Sequence, residues 1–158
     1  MSSWISHLPD STVLPLGRVA GLGMNADELQ ANTRLTEFVV HNLNTNPLLE
    51  YDDGSFDRVI IAVSIQYLTR PVEVLRSVRR VLRSNGRIAI AMSHRCFPTK
   101  AIAAFQSMDL QNRMRLVSAY LDESGFEDIE FFDHSPAAGD PLWVVVGTRP
   151  ELTRSEIA

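Results

Sequence analysis

The stretch "FDRVIIAVSIQYL", residues 56–68, limits the fold most tightly. After Arg58 it is apolar with almost no polar interruption. A short apolar run without alternation reads as a strand covered on both faces, and such strands sit inside a sheet rather than at its rim. "PVEVLRSVRRVLRS", residues 71–84, follows with helical spacing. Val74, Leu75, Val78, Val81 and Leu82 form one apolar stripe, and Arg76, Arg79, Arg80 and Arg83 the opposite, solvated face. Asn85-Gly86 ends the helix, with the glycine placed for a left-handed backbone. "RIAIAMS", residues 87–93, is a second buried strand. Strand, helix and strand in this order make a parallel crossover, so the expected class is α/β with a mostly parallel sheet.

The flanking sequence extends this pattern. "GRVAGL", 17–22, reads as a short strand. Asn25 reads as a helix N-cap, with Glu28 three residues on completing a capping box, and the helix runs to about Arg34. "EFVVHNL", 37–43, is a second strand, and "NTNPLLEYDDGS", 44–55, is a polar loop. Residues 99–124 read as one or two helices stopped by Gly125. "FEDIEFFD", 126–133, and "LWVVVGT", 142–148, suit a closing antiparallel pair. Residues 1–16 hold turn-like spots and no clear strand. The chain has 158 residues, 45% of them hydrophobic, which is enough to bury one core. One domain over 1–150 is expected, with 151–158 as a frayed tail.

Charge and cysteine content narrow the function. A net charge of −4 leaves no broad basic surface for nucleic acid or acidic lipid. The single Cys96 allows no internal disulfide, which suits a reducing compartment. No apolar run approaches the roughly 18 residues of a membrane span, and the N-terminus lacks a signal-peptide layout. A cytoplasmic location is the resulting expectation. His7, His41 and His134 show no metal-ligand spacing, so no metal is expected.

Gly21-Leu22-Gly23-Met24-Asn25-Ala26 fits the G-x-G-x-x-A turn of dinucleotide folds. That turn needs an acidic residue about 20 positions on, for the ribose hydroxyls. Asn42 and Asn44 stand there, both neutral, with no arginine beside them. A nicotinamide-dependent oxidoreductase is therefore only a third reading.

The block "DDGSFDRVIIAVSIQYLTRPVEVLRSVRRVLRSNGRIAIAMS", 52–93, resembles the central block of class I S-adenosylmethionine-dependent methyltransferases. Ser55-Phe56-Asp57 leads in, Ser64-Ile65-Gln66-Tyr67-Leu68 follows the strand, Pro71 opens the helix, and Arg80 to Gly86 closes it. The resemblance extends over roughly 17–148. It implies a three-layer α/β/α sandwich with a Rossmann-like, mostly parallel sheet and a C-terminal antiparallel pair. It also implies S-adenosylmethionine as cofactor and a small-molecule acceptor, with neither nucleic acid nor membrane as partner. A subgroup carrying "GLGMN" and "SNRCFPTKA" is more similar still, and this chain has "SHRCFPTKA", with His94 for Asn.

The resemblance also implies a site. "VAGLGMN" falls at the end of the family's second strand, where a carboxylate grips the ribose, and Gly23 stands in its place. Asn42 stands where an acidic residue contacts the adenine amine. Gly23, Met24, Asn25, Asn42 and Leu43 would thus meet the adenosine. Asn25 can reach a ribose hydroxyl or serve only as the helix cap. Ser64 and Tyr67 lie past the carboxyl end of a central strand, where open α/β sheets bind ligands; Gln66 can point either way. Methyl transfer is an in-line displacement resting on proximity and orientation, with at most a weak base, so no conspicuous triad is needed. His94 and Tyr67 are the catalytic candidates, His94 because its unperturbed pKa lies near neutral. A lone loop histidine such as His94 is more often plain surface, Arg95 could hold an acidic acceptor, and Cys96 reads as a small buried residue.

The family's sheet starts with a central strand and a glycine-rich loop that cradles the cofactor's amino-acid end. Nothing before "GRVAGL" reads as that strand. "MSSWISHLP" is similar to the stretch that follows it, so the domain is expected to be N-terminally truncated, with Ser2, Ser3 and Trp4 a remnant of the loop. The missing strand would lie between strands 17–22 and 57–63. Two main readings stand: a methyltransferase acting on a small molecule, or a non-catalytic relative that keeps the fold as a binding module.

Overall fold

A computed structural model describes residues 6–94, 97 and 99–151. They form two compact units, Met1–Asn46 and Pro47–Ala158. Ser2, Ser3 and Trp4, Arg95 and Cys96, and the tail from 152 lie outside the described residues.

In the first unit β1 (Ala20–Gly23) pairs in parallel with β2 (Glu37–Val40), joined by α1 (Ala26–Ala31). Asn25 caps α1, its side chain accepting from the amides of Asp27 and Glu28, while its Nδ2 donates to Glu28 Oε1 at 3.3 Å. Leu29 is the buried anchor of this helix. The strand expected over 37–43 stops at Val40. Asn42 ends it by accepting the Asn44 amide on its own Oδ1, a local turn that competes with the ladder. The amides of Thr45 and Asn46 close on the Asn42 carbonyl, and His41 Nε2 lies 2.7 Å from the Asn46 carbonyl.

The second unit holds a sheet of order β3-β4-β6-β5. β3 (Phe56–Ala62) and β4 (Leu82–Met92) are parallel, linked through α2 (Pro71–Val81). After α3 (Ala103–Ser107) and α4 (Leu110–Glu123), β5 (Glu127–Asp133) and β6 (Trp143–Thr148) close the sheet as the expected antiparallel pair. Gly125 stops α4 with φ +80°. The mixed α/β architecture, parallel pairs plus an antiparallel pair, is that of Rossmann-like methyltransferase folds.

Val74, Leu75, Val78 and Val81 of α2 are buried, as are Val117 and Leu121 of α4 and Ile88, Ile90 and Val145 of the sheet. These residues are the core. The opposite sheet face carries Ile60, Ala89 and Val146, and Ile60 is 48% exposed. This corrects the reading of 57–63 as a strand covered on both faces. Among the described residues β3 is an edge strand of its sheet, with β4 its one neighbour.

Two further expectations change at the end of α2. The helix stops at Val81, and the left-handed residue is Asn85 (φ 61°), not Gly86. Gly86 is needed for another reason: a Cβ there would sit 2.7 Å from the Arg83 carbonyl. The arginines of α2 are not simply solvated either. Arg80 donates to the carbonyls of Leu49 and Tyr51 and to Asp53, pinning the loop after Pro47. Arg149 is buried and donates to the carbonyls of Arg80 and Leu82.

Candidate functional site

Parallel strands leave their carboxyl ends on one edge, and loops leaving that edge carry the ligand groups of open α/β sheets. In the first unit this edge carries Gly23, Met24 and Asn25 after β1, and His41, Asn42 and Leu43 after β2. Met24 is 70% exposed. Packing explains the first glycine of the run and not the second. A Cβ at Gly21 would lie 2.4 Å from Leu35 Cδ1, so Gly21 makes room for that leucine; one at Gly23 would make only ordinary contact with Leu29 at 3.5 Å.

In the second unit the edge begins with strain. Val63, just past β3, has φ +45°, a region that β-branched residues rarely adopt. Its amide donates to Ala91 and its carbonyl accepts from Gln66 Nε2 at 3.1 Å. Buried Gln66 therefore braces the kink, and its own carbonyl takes the Ile102 amide. Ser64 opens a 3-10 turn over Ile65–Tyr67. The Tyr67 hydroxyl accepts the Phe97 amide at 3.0 Å, and the two rings lie 6.3 Å apart. Lys100 Nζ sits 5.8 Å from the centre of the Phe97 ring.

Beyond β4 come Ser93 and His94. His94 Nε2 is 3.7 Å from Asp140 Oδ1, too long for a hydrogen bond, with both groups about half exposed. Beside them lies a narrow cleft walled by Met92, Phe105, Leu110 and Trp143. Gln66, Ser93 and Arg113 supply its polar groups. The sequence reading missed Arg113, Ser93 and Trp143. Arg113 lies in the first turn of α4, and Trp143 pairs with Met92 at the start of an antiparallel strand. Only the pairing of β4 with β6 brings Trp143 to this edge, and no local pattern encodes that.

Each group of expected residues is thus gathered at a strand edge within its own unit. The fit to S-adenosylmethionine is partial. The Asn25 oxygen already accepts two backbone amides, whereas that of Asn42 accepts one and keeps a second lone pair for a ligand donor. Space exists at Gly23, but the carboxylate that would grip a ribose is absent there. Among the described residues no group of three or more His, Cys, Asp or Glu could hold a metal, and no helix is long and apolar enough to cross a membrane.

Three solved structures share this fold. The [4+2]-cyclase SpnF is 13% identical, with TM-score 0.64, over 84% of this chain and 67% of its own. The S-adenosylmethionine-dependent methyltransferase SibL is 18% identical, with TM-score 0.61, over 89% of this chain and 46% of its own. An S-adenosylmethionine-dependent methyltransferase from Mesorhizobium loti is 14% identical, with TM-score 0.61, over 84% of this chain and 80% of its own. The chain thus spans less than half the length of SibL. No curated protein matches it in sequence. Residues 11–90 match the family model for a methyltransferase domain, and by that match the chain belongs to the methyltransferase-domain family.

Proposed function

We infer that this chain binds S-adenosylmethionine and supports methyl transfer to a small molecule. The observation that carries the reading is the β3–α2 corner. There the family match over 11–90 coincides with a strained Val63, braced by Gln66, at the ligand-binding edge of a parallel pair. Strain of this kind persists only where surrounding structure enforces it, and it clusters at ligand sites. When bound, the cofactor supplies a sulfonium methyl for in-line displacement. The chain's own part is to hold and orient. Within the first unit Met24 and Leu43 offer apolar surface to an adenine and Asn42 a lone pair to its amine; within the second, Tyr67 offers an aromatic face at its own strand edge. His94 is exposed enough to take a proton from an acceptor. A single cysteine suits a reducing, cytoplasmic setting.

Titration calorimetry with S-adenosylmethionine, S-adenosylhomocysteine and NAD tests the cofactor. Micromolar binding of the first two without NAD is expected; NAD binding alone would sink the reading. Tyr67→Ala should weaken cofactor binding several-fold while the melting temperature barely moves. A large fall in melting temperature with unchanged binding would remove Tyr67 from the site. The second reading, a domain without methyl transfer, is favoured by the missing carboxylate at Gly23, and SpnF bears the name of a cyclase. Cofactor binding without turnover of labelled methyl groups, across a panel of acceptors, would favour it.

A further inference from the structure

We propose that the outward face of the Pro47–Ala158 sheet, opposite α2 and α4, is the interface of a twofold dimer, with a second copy of this chain as its occupant. Parallel strand pairs bury both faces. Here the face away from the core is apolar across all four strands. It carries Ile60 and Ala62 on β3, Ala89 and Ala91 on β4, Val144 and Val146 on β6, and Phe132 on β5. None of these is buried, and Ile60 and Phe132 are 48% and 38% exposed. Ala89 and Val146 floor an open hollow bordered by Arg58, Ile60 and Arg87. A contiguous exposed apolar patch marks an interaction surface.

The strand register selects the partner. It sets the face in rows that run β3, β4, β6, β5. The first row is Arg58, Arg87, Thr148 and Glu127; the second Ile60, Ala89, Val146 and Glu130; the third Ala62, Ala91, Val144 and Phe132. Arg87 Nη2 donates to Glu130 Oε2 at 2.6 Å, reaching over β6. A twofold axis parallel to the strands, between β4 and β6, lays β3 over the partner's β5 and β4 over the partner's β6, row on row. Exposed Arg58 then meets the partner's Glu127, and each contact occurs twice. The small Ala62, Ala91 and Ala89 receive the partner's Phe132, Val144 and Val146. Ile60 meets the partner's Glu130, whose charge Arg87 already balances within its own copy. An axis across the strands would set Arg58 over the partner's Ala62 and leave the charges unmatched. Anionic lipid or nucleic acid would match only the basic half of the first row. The face is thus complementary to itself, and such a contact closes at two copies.

Its size sets the strength. With strands about 4.8 Å apart and same-face residues about 6.7 Å apart, the face spans roughly 400 Å². Two copies bury about 800 Å² before side-chain relief is added, below the roughly 1,200–2,000 Å² of lasting complexes. A weak, exchanging dimer is expected, half associated at roughly 10–100 µM chain.

Sedimentation equilibrium of the full chain from about 1 to 300 µM reads the association. Arg58→Glu and Glu127→Arg should each weaken it about tenfold, because the symmetry doubles the loss of one exposed pair. The double variant Arg58→Glu/Glu127→Arg should return to within about threefold of wild type, as expected for a coupled pair. Ala89→Glu places a charge from each copy close to the axis and should leave monomer at every concentration. Melting temperatures of dilute samples should match wild type, since these side chains are not buried in the monomer. Monomer throughout for wild type, a dimer indifferent to Ala89→Glu, or a double variant weaker than both single ones would overturn the proposal. Cosedimentation with phosphatidylcholine–phosphatidylserine vesicles that Ala89→Glu abolishes would give the face to lipid and overturn it too. No cofactor enters the test, so its outcome stands apart from the methyl-transfer reading.

Discussion

Gly21 and Gly23 look alike in the sequence but do different work. Gly21 yields space to Leu35, whereas Gly23 borders only ordinary contact with Leu29. Gly21→Ala should therefore cost about 1–3 kcal/mol by overpacking. Gly23→Asp should keep the fold and tighten S-adenosylmethionine binding about tenfold, one charge-assisted hydrogen bond to a ribose hydroxyl being worth about 1.5–3 kcal/mol. Paired melts and titrations read both, and unchanged affinity for Gly23→Asp would mean the ribose does not reach this edge. Val63 offers a second test. Relief of a positive φ returns about 1–3 kcal/mol, against the roughly 0.5–1 kcal/mol entropic cost of glycine in a strand. Val63→Gly should thus melt at or above the wild-type temperature. Ile90→Ala, at a fully buried position, should lose about 2–5 kcal/mol.

At the scale of elements, α2 does more than cover the sheet. Ser77 is buried and its Oγ accepts the Leu49 amide at 2.8 Å, while Arg80 takes the Leu49 carbonyl. Both backbone groups of Leu49 are thus satisfied by α2 side chains. Ser77→Ala leaves a buried N–H without a partner and should cost about 1–3 kcal/mol by chemical denaturation. The helix itself was legible because its apolar stripe recurs at 3.6-residue spacing. The duty of Ser77 and Arg80 was not legible, since their partners lie 28 to 31 residues away. Likewise Asn25 could be recognised as a cap because capping is local, whereas the end of β2 was set by a side-chain turn at Asn42 that a strand-like apolar pattern does not reveal.

Across the Pro47–Ala158 unit the sheet is unevenly paired. β4 has neighbours on both sides, and β3 on one. The Val63 amide donates into β4, so by alternation the amides of Val59 and Ile61 also face β4, and those of Arg58, Ile60 and Ala62 point away. Hydrogen exchange should be fast at the latter three and slow through Ile88 to Met92. Slow exchange at Ile60 would mean that its outward amide is sheltered by another segment or another molecule.

The sequence alone determined what is local: the α/β class, the crossover of two apolar strands about an amphipathic helix, the caps, the Gly125 stop and the closing antiparallel pair. Those features depend on periodicity, on capping hydrogen bonds within a few residues and, for the antiparallel pair, on a turn-rich connection between two neighbouring apolar runs, all of which a linear reading contains. The tertiary structure decided that β3 is an edge, that Asn85 rather than Gly86 turns left-handed, and that Gly21 serves Leu35. It also brought Ser93, Arg113 and Trp143 to one cleft. Each of these depends on which distant backbone or side chain comes alongside, and burial and strand pairing settle that only once the chain has closed on itself.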